Sequence, residues 1–268
     1  MPASFDFSGK RVFVFGGTSG INLGIAKSFA TAGADVSVAS RSQDKVDAAV
    51  QLLSSSGGAS NGYALDVRDV DAVRGALEQH SKDAGGIDVL VSGAAGNFPA
   101  FANDMSANGF KSVVDIDLLG SFHVLQSAYP YLTKPGASVI NISAPQAFLA
   151  MPMQSHVCAA KAGVDMLTRT LALEWGPAGI RVNSISPGPI EDTEGMRRLA
   201  PTAKIAEHVK RSVPLQRYGK ASEIGDAAMF LSSEAGAYIS GIVMPVDGGW
   251  SIGGASAAAL AMTQGGGS

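Results

Sequence analysis

The feature that most constrains this chain is a rhythm. Seven short runs rich in β-branched residues recur along it: RVFVFG (11–16), DVSVAS (35–40), NGYALDV (61–67), IDVLVSG (87–93), ASVINIS (137–143), IRVNSIS (180–186) and GIVMPVD (241–247). Stretches of helical period such as GIAKSFATAG and VDAVRGALEQH lie between them. The runs are apolar on both faces, as in a sheet covered by helices on each side. Alternation of this kind predicts βαβ units, and right-handed crossovers then leave a parallel, doubly wound sheet. The predicted class is therefore α/β, one domain over residues 1–250 with a seven-stranded parallel sheet. Residues 251–268, poor in large side chains, read as a loose C-terminal tail.

With 46% hydrophobic and 16% charged residues in 268, the chain can bury one large core, and no repeat or linker divides it. A net charge of -3 offers no footprint for nucleic acid or an anionic membrane. The single cysteine, Cys158, excludes an internal disulfide and fits a reducing compartment; set among Val157, Ala159 and Ala160, it reads as a packing residue. The opening MPASFDFSGKR lacks a secretory core and no run reaches membrane-span length, so the expected setting is cytoplasmic. The terminal GGGS carries no peroxisomal signal.

After the first run comes GGTSGINLGIAKSF, a glycine-rich turn opening a helix. In a Rossmann-type domain, Gly16, Gly17, Thr18, Ser19, Gly20 and Ile21 would bring backbone amides to a pyrophosphate. Asn22 stands where the third glycine is expected; it tolerates a left-handed conformation but adds bulk. The second run ends in Ser40 and Arg41, with no acid before Asp44. An arginine there suits a 2′-phosphate, and hence NADPH over NADH, unless it is simply solvated. Asp66, followed by Val67, is placed either to accept from an adenine amino group or to cap a turn.

Lys161 poses a question. It lies in SHVCAAKAG with Val157 one helical turn before it and no carboxylate in that turn. Taken together, GGTSGI, ALDVRD, LVSGAAGNF, VINIS, AAKAGV, IRVNSISPGPIEDT and GIVMPVDGG resemble the short-chain dehydrogenase/reductase family in its usual order, over roughly residues 8–250. The resemblance makes Lys161 the clamp on the nicotinamide ribose. It assigns Pro187, Gly188, Ile190 and Thr193 to the loop holding the nicotinamide carboxamide. It fails at the usual chemistry: the tyrosine position is Val157, the serine position is Ala144 with Ser143 beside it, and the helix asparagine is Asp117. VSGAAG likewise carries Ser92 and Gly93 where asparagine comes first.

AAGNF, FKSVVDID, GPIEDTEGMRRL and VPLQRYGKASEI resemble the peroxisomal-type 2,4-dienoyl-CoA reductase branch, which also lacks the tyrosine. That resemblance implies NADPH-dependent reduction of a conjugated double bond in an acyl-CoA thioester. Hydride adds at C5, and Asp117 and Asp247 deliver a proton through water. Two close carboxylates would push one pKa upward; helix-bend and turn-forming roles are the other readings of the two acids. Placement and amide chemistry make Gln146 a candidate donor to the thioester oxygen. The branch points to Asn97, Phe98, Ser106, Asn108 and Arg198 for substrate, with Arg68 a further candidate for a CoA phosphate. Arg197 and Arg198 otherwise form a solvated face. Met151 and Met153 line an acyl pocket or the core, and the apolar loop around them points to an acyl group other than a simple fatty chain. His156 has no metal-ligand partners at useful spacing and reads as structural or pocket-lining; no metal site is expected. The branch implies a homotetramer through the helix carrying Lys161 and the one after it. Rival readings are a reductase of another enone or enoyl thioester, and a non-catalytic NADP(H)-binding sensor. Alcohol dehydrogenation ranks lowest, because no side chain remains to move its proton.

Overall fold

A computed structural model of the protein describes residues 5–253, apart from the side chain of Leu199; most of the expected tail, 254–268, lies outside the described residues. Each of the seven runs forms a strand: β1 Arg11–Phe15, β2 Asp35–Ser40, β3 Ser60–Ala64, β4 Val89–Ser92, β5 Ser138–Ile142, β6 Arg181–Pro187 and β7 Val243–Val246. All pairs are parallel, in the order β3-β2-β1-β4-β5-β6-β7. The helices are α1 Gly20–Thr31, α2 Gln43–Ser54, α3 Val70–Asp83, α4 Ala107–Val114, α5 Gly120–Ala128, α6 Ser155–Trp175, α7 Glu194–Leu199, α8 Ala203–Ser212 and α9 Ala221–Ser232. One π-helical turn, Asp115–Leu119, joins α4 to α5.

Strand β1 shows why the runs are apolar throughout. Val12 and Val14 enter a core with Ile25 and Phe29 of α1 and Ile224 of α9. Phe13 and Phe15 enter the opposite core with Leu77 of α3, Leu125 of α5 and Trp175 of α6. Successive side chains point to opposite faces, so a strand covered twice must be apolar twice. Helix α1 lies close on α9 at Gly24, where a Cβ would stand 2.4 Å from that of Ala221. This contact fixes the helix whose N-terminus follows the glycine turn. Strand order reverses between β1 and β4, and the crevice beyond their C-terminal ends is where α/β sheets of this kind bind ligands.

One buried polar residue belongs to the scaffold. His80 of α3 is 1% exposed, packs on Phe13 and sits with Nδ1 3.1 Å from Ser37 Oγ. Burial, helped by the charge of Arg11, depresses its pKa from 6.5 to about 4. The stabilisation tied to the neutral ring is thus complete above about pH 6.5 and is lost as pH falls towards 4. His80→Gln should remove that loss. Urea unfolding near pH 7 and pH 4 should show the wild type losing on the order of 3 kcal/mol more than the variant.

Candidate active site

The π turn places Asp117. An extra residue per turn rotates this carboxylate towards the loop after β4, a common use of such turns. There Oδ1 accepts from Gly96 N–H at 2.7 Å, and Asp117 is 1% exposed. Its Oδ2 lies 3.4 Å from Lys161 Nζ without hydrogen-bond geometry. The ammonium donates instead to Ile142 O at 2.8 Å, at the end of β5. The lysine that lacked a partner on its own helix therefore finds one across the crevice. Burial raises the pKa of Asp117; Lys161, the Gly96 amide and His156 oppose that rise only in part.

The glycine turn suits a dinucleotide. Gly16 has φ +78°. A Cβ at Gly17 would meet Val14 O and Val38 Cγ1, both at 2.8 Å, so the backbone passes where no side chain fits. Ser19 precedes α1 without a side-chain cap, leaving the first amides for an anion. Thr18 and Ile21 complete the turn. Across it, the methyl of Thr193 would lie 3.7 Å from a Cβ on Gly20. The Thr193 hydroxyl donates to Ile190 O at 2.9 Å, which folds the loop after β6 back on itself. Pro187 pairs with Val246, and Gly188 packs against the backbone of Asp247, 2.6 Å from where its Cβ would be. At the β2 end, Arg41 is exposed and makes no hydrogen bond or ion pair among the described residues. Its charge helps lower the pKa of Asp66, although Arg68 does so more strongly.

The rim of the crevice gathers residues far apart in sequence. Phe98 packs edge-on against His156 of α6 at 4.6 Å, and its ring tip would lie 3.2 Å from a Cβ on Gly109 of α4. Ser106 caps α4 by accepting from Gly109 N–H at 3.0 Å, and Asn108 is exposed in its first turn. Arg198 of α7 reaches Asn97 O at 3.0 Å and pairs with Glu194. Arg197 turns away to Asp192 O. Asn97 and Arg198 thus meet, with Ser106 close to Phe98 across Gly109, while no contact among the described residues ties Asn108 to that ring.

Residues 16–251 match the family described as Enoyl-(Acyl carrier protein) reductase. The chain is 40% identical to the peroxisomal 2,4-dienoyl-CoA reductase [(3E)-enoyl-CoA-producing] of Danio rerio, over 90% of this chain and 81% of that protein. It is 37% identical to the probable 2,4-dienoyl-CoA reductase [(2E)-enoyl-CoA-producing] of Bacillus subtilis (strain 168), over 90% and 96%. The crystal structure of a short chain dehydrogenase from Bacillus anthracis superposes with a TM-score of 0.81 at 39% identity, over 90% of this chain and 96% of that one. The chain belongs to the short-chain dehydrogenase/reductase family. Members of this family bind a nicotinamide cofactor, and the uncapped glycine turn fits one.

Against the family pattern, Val157 is buried at the tyrosine position, and Ser143, beside Ala144, faces Asp165. Three residues depart from the roles expected of them. Gln146 spends its amide on Gln154 Oε1 at 2.7 Å and on Met151 Sδ, so it is not free to hold a thioester oxygen. Arg68 is forked onto Asp66, so its guanidinium is already paired and is not held out towards a CoA phosphate. Asp247 accepts from Gly249 N–H at 2.9 Å and Ser251 N–H at 2.8 Å. Both of its oxygens are thus engaged by backbone amides of its own turn, and the charged groups acting on Asp117 are Lys161 and His156. Burial, not a second carboxylate, raises its pKa. His156, read from sequence as structural or pocket-lining, packs against Phe98 at the rim of the site.

Two departures explain each other. Asn22 lies in the first turn of α1 with no need of a left-handed backbone, and its Nδ2 donates to Gly93 O at 2.7 Å. A Cβ at Gly93 would stand 2.3 Å from Asn22 Oδ1, so the asparagine fits because position 93 has no side chain. Gly93→Ala should cost about 1–3 kcal/mol through overpacking and weaken cofactor binding, and adding Asn22→Gly should return much of both. Urea unfolding and cofactor fluorescence titrations of the four proteins test this; strictly additive losses would mean that the two positions do not compete for space.

Proposed function

We propose that the protein is an NADPH-dependent reductase of 2,4-dienoyl-CoA thioesters, releasing a (3E)-enoyl thioester as its Danio rerio relative is named for doing. The observation that carries this reading is the buried Asp117–Lys161 pair beside Val157. A valine cannot protonate an alkoxide, whereas a carboxyl group of raised pKa can hold a proton for carbon. Bound NADPH supplies the hydride. The conjugated thioester, once reduced at C5, carries its charge as a dienolate. Asp117, protonated, gives its proton through water to C2, and the resulting carboxylate is stabilised by the Lys161 ammonium.

The other residues bind and orient. Arg41 meets the 2′-phosphate, Asp66 with Val67 borders the adenine, and Lys161 holds the nicotinamide ribose. The loop from Pro187 through Ile190 to Thr193 fixes the carboxamide, with Asp247 bracing Gly188 from behind. Phe98 faces the acyl chain, Ser106 and Asn108 border it, and Arg198 reaches a CoA phosphate from the rim beside Asn97. Assembly as a homotetramer is supported by Met166 and Leu173, apolar side chains of α6 that are 58% and 81% exposed. Among the described residues no helix is long and apolar enough to cross a membrane.

NADPH oxidation on adding a 2,4-dienoyl-CoA, absent with simple ketones, is the deciding assay, and NMR of the product locates the remaining double bond. If the protein binds NADPH and oxidises none, the reading fails. Asp117→Asn retains an oxygen for Gly96 and should lower kcat by roughly 10²–10³-fold with NADPH affinity kept. Arg41→Ala should weaken NADPH by roughly 10–100-fold, the loss of one charged phosphate contact, and leave NADH unchanged.

A further inference from the structure

His156 is fully buried, yet neither Nδ1 nor Nε2 has a hydrogen-bond partner among the described residues. A buried ring with two empty polar positions is costly and calls for partners that arrive with water or ligand. Its surroundings are the active site. Phe98 covers its face at 4.6 Å, Asn97 beside it has a buried, unpartnered Oδ1, and so does Asp117 at Oδ2. The orphaned atoms of three residues, from the loop after β4, the π turn and the start of α6, belong to one neighbourhood.

We propose that His156 is the relay that returns a proton to Asp117 after each turnover, through a water shared by the imidazole and Asp117 Oδ2. This rests on the dienoyl-CoA reductase reading for the step it serves. When C2 of the dienolate forms its new C–H bond, the water gives up a proton and takes one from the Asp117 carboxyl. As product leaves, the ring takes up a proton from solvent and passes one across that water to the carboxylate, which restores the Asp117 carboxyl and the neutral imidazole. Only protons move, and one is consumed per cycle.

The electrostatics run in the required direction. Burial lowers the pKa of His156 and raises that of Asp117, which favours the neutral form of each. Once Asp117 has given up its proton, its charge favours protonation of the ring, as does the Phe98 carbonyl. Asp117 is the charged group acting on the ring, and Lys161, on the ring's own helix, is paired with that same carboxylate.

The pair is tested first without substrate. The imidazole of His156, followed by ¹⁵N NMR in the full-length protein, should change its titration midpoint by about half a pH unit or more in Asp117→Asn. Identical titrations would overturn the pairing. With a 2,4-dienoyl-CoA, His156→Ala should lose roughly 10²-fold in kcat, with KM and NADPH affinity held, a larger solvent isotope effect, and recovery on adding imidazole. His156→Gln keeps hydrogen bonding but carries no proton, so it should be as slow as the alanine variant and insensitive to imidazole. Wild-type kcat in either variant would overturn the relay. If the wild type reduces no dienoyl-CoA while the NMR coupling persists, the substrate reading has failed and the histidine–aspartate pair stands.

Discussion

The ammonium of Lys161 and the carboxyl of Asp117 face each other 3.4 Å apart, both buried, and much of the molecule exists to hold them there. A charge buried at such depth without a partner costs several kcal/mol, and the polar atoms of either group need partners there. The pair therefore needs external support on both sides. Lys161 is tied to the end of β5 through Ile142 O, and Asp117 to the loop after β4 through Gly96 N–H. Those two strands are neighbours in the parallel sheet. The sheet thus fixes the separation of the anchors, and the π turn and α6 bring the side chains to them.

The same arrangement explains how a family scaffold can change its chemistry while keeping its cofactor platform. The glycine turn, the folded loop after β6 and the lysine all depend on backbone positions at the C-terminal edge of the sheet. None depends on the residue at 157. Replacing a phenol there by valine removes a proton donor without disturbing a single anchor. On the proposed reading the donor that replaces it is Asp117, a carboxyl at 1% exposure whose pKa burial raises.

Much of this was legible in the sequence. The strands announced themselves because a doubly covered strand is largely apolar on both faces, and β1 obeys this from Val12 to Phe15. The glycine turn could be placed because it opens the helix after the first strand, and Lys161 and Asp117 because their segments resemble the family's. Side-chain partnerships were harder to read. Gln146 looked available because its partner, Gln154, lies across a tight loop whose path the residues do not reveal. Asp66 and Arg68 are two residues apart, yet their fork could not be told from two independent ligand contacts. Asn22 and Gly93 looked like two separate faults, since only the fold brings residues 71 positions apart into one space.

His156 escaped for a more instructive reason. As a lone histidine on an apolar helix it carries no motif, and the residue that invites comparison with the family is its neighbour Val157. Yet on α6 the two side chains diverge by about 100°, so losing the phenol at 157 leaves 156 on a different line of approach. From there the ring meets Phe98 and the field of Asp117, not the lysine. A proton route built from the histidine would thus enter the site from the rim side of Asp117, whereas the lysine engages the carboxyl from β5. The ring keeps company with Phe98 and the lysine with Ile142 O, so a relay through the histidine leaves the tie between Lys161 and β5 intact.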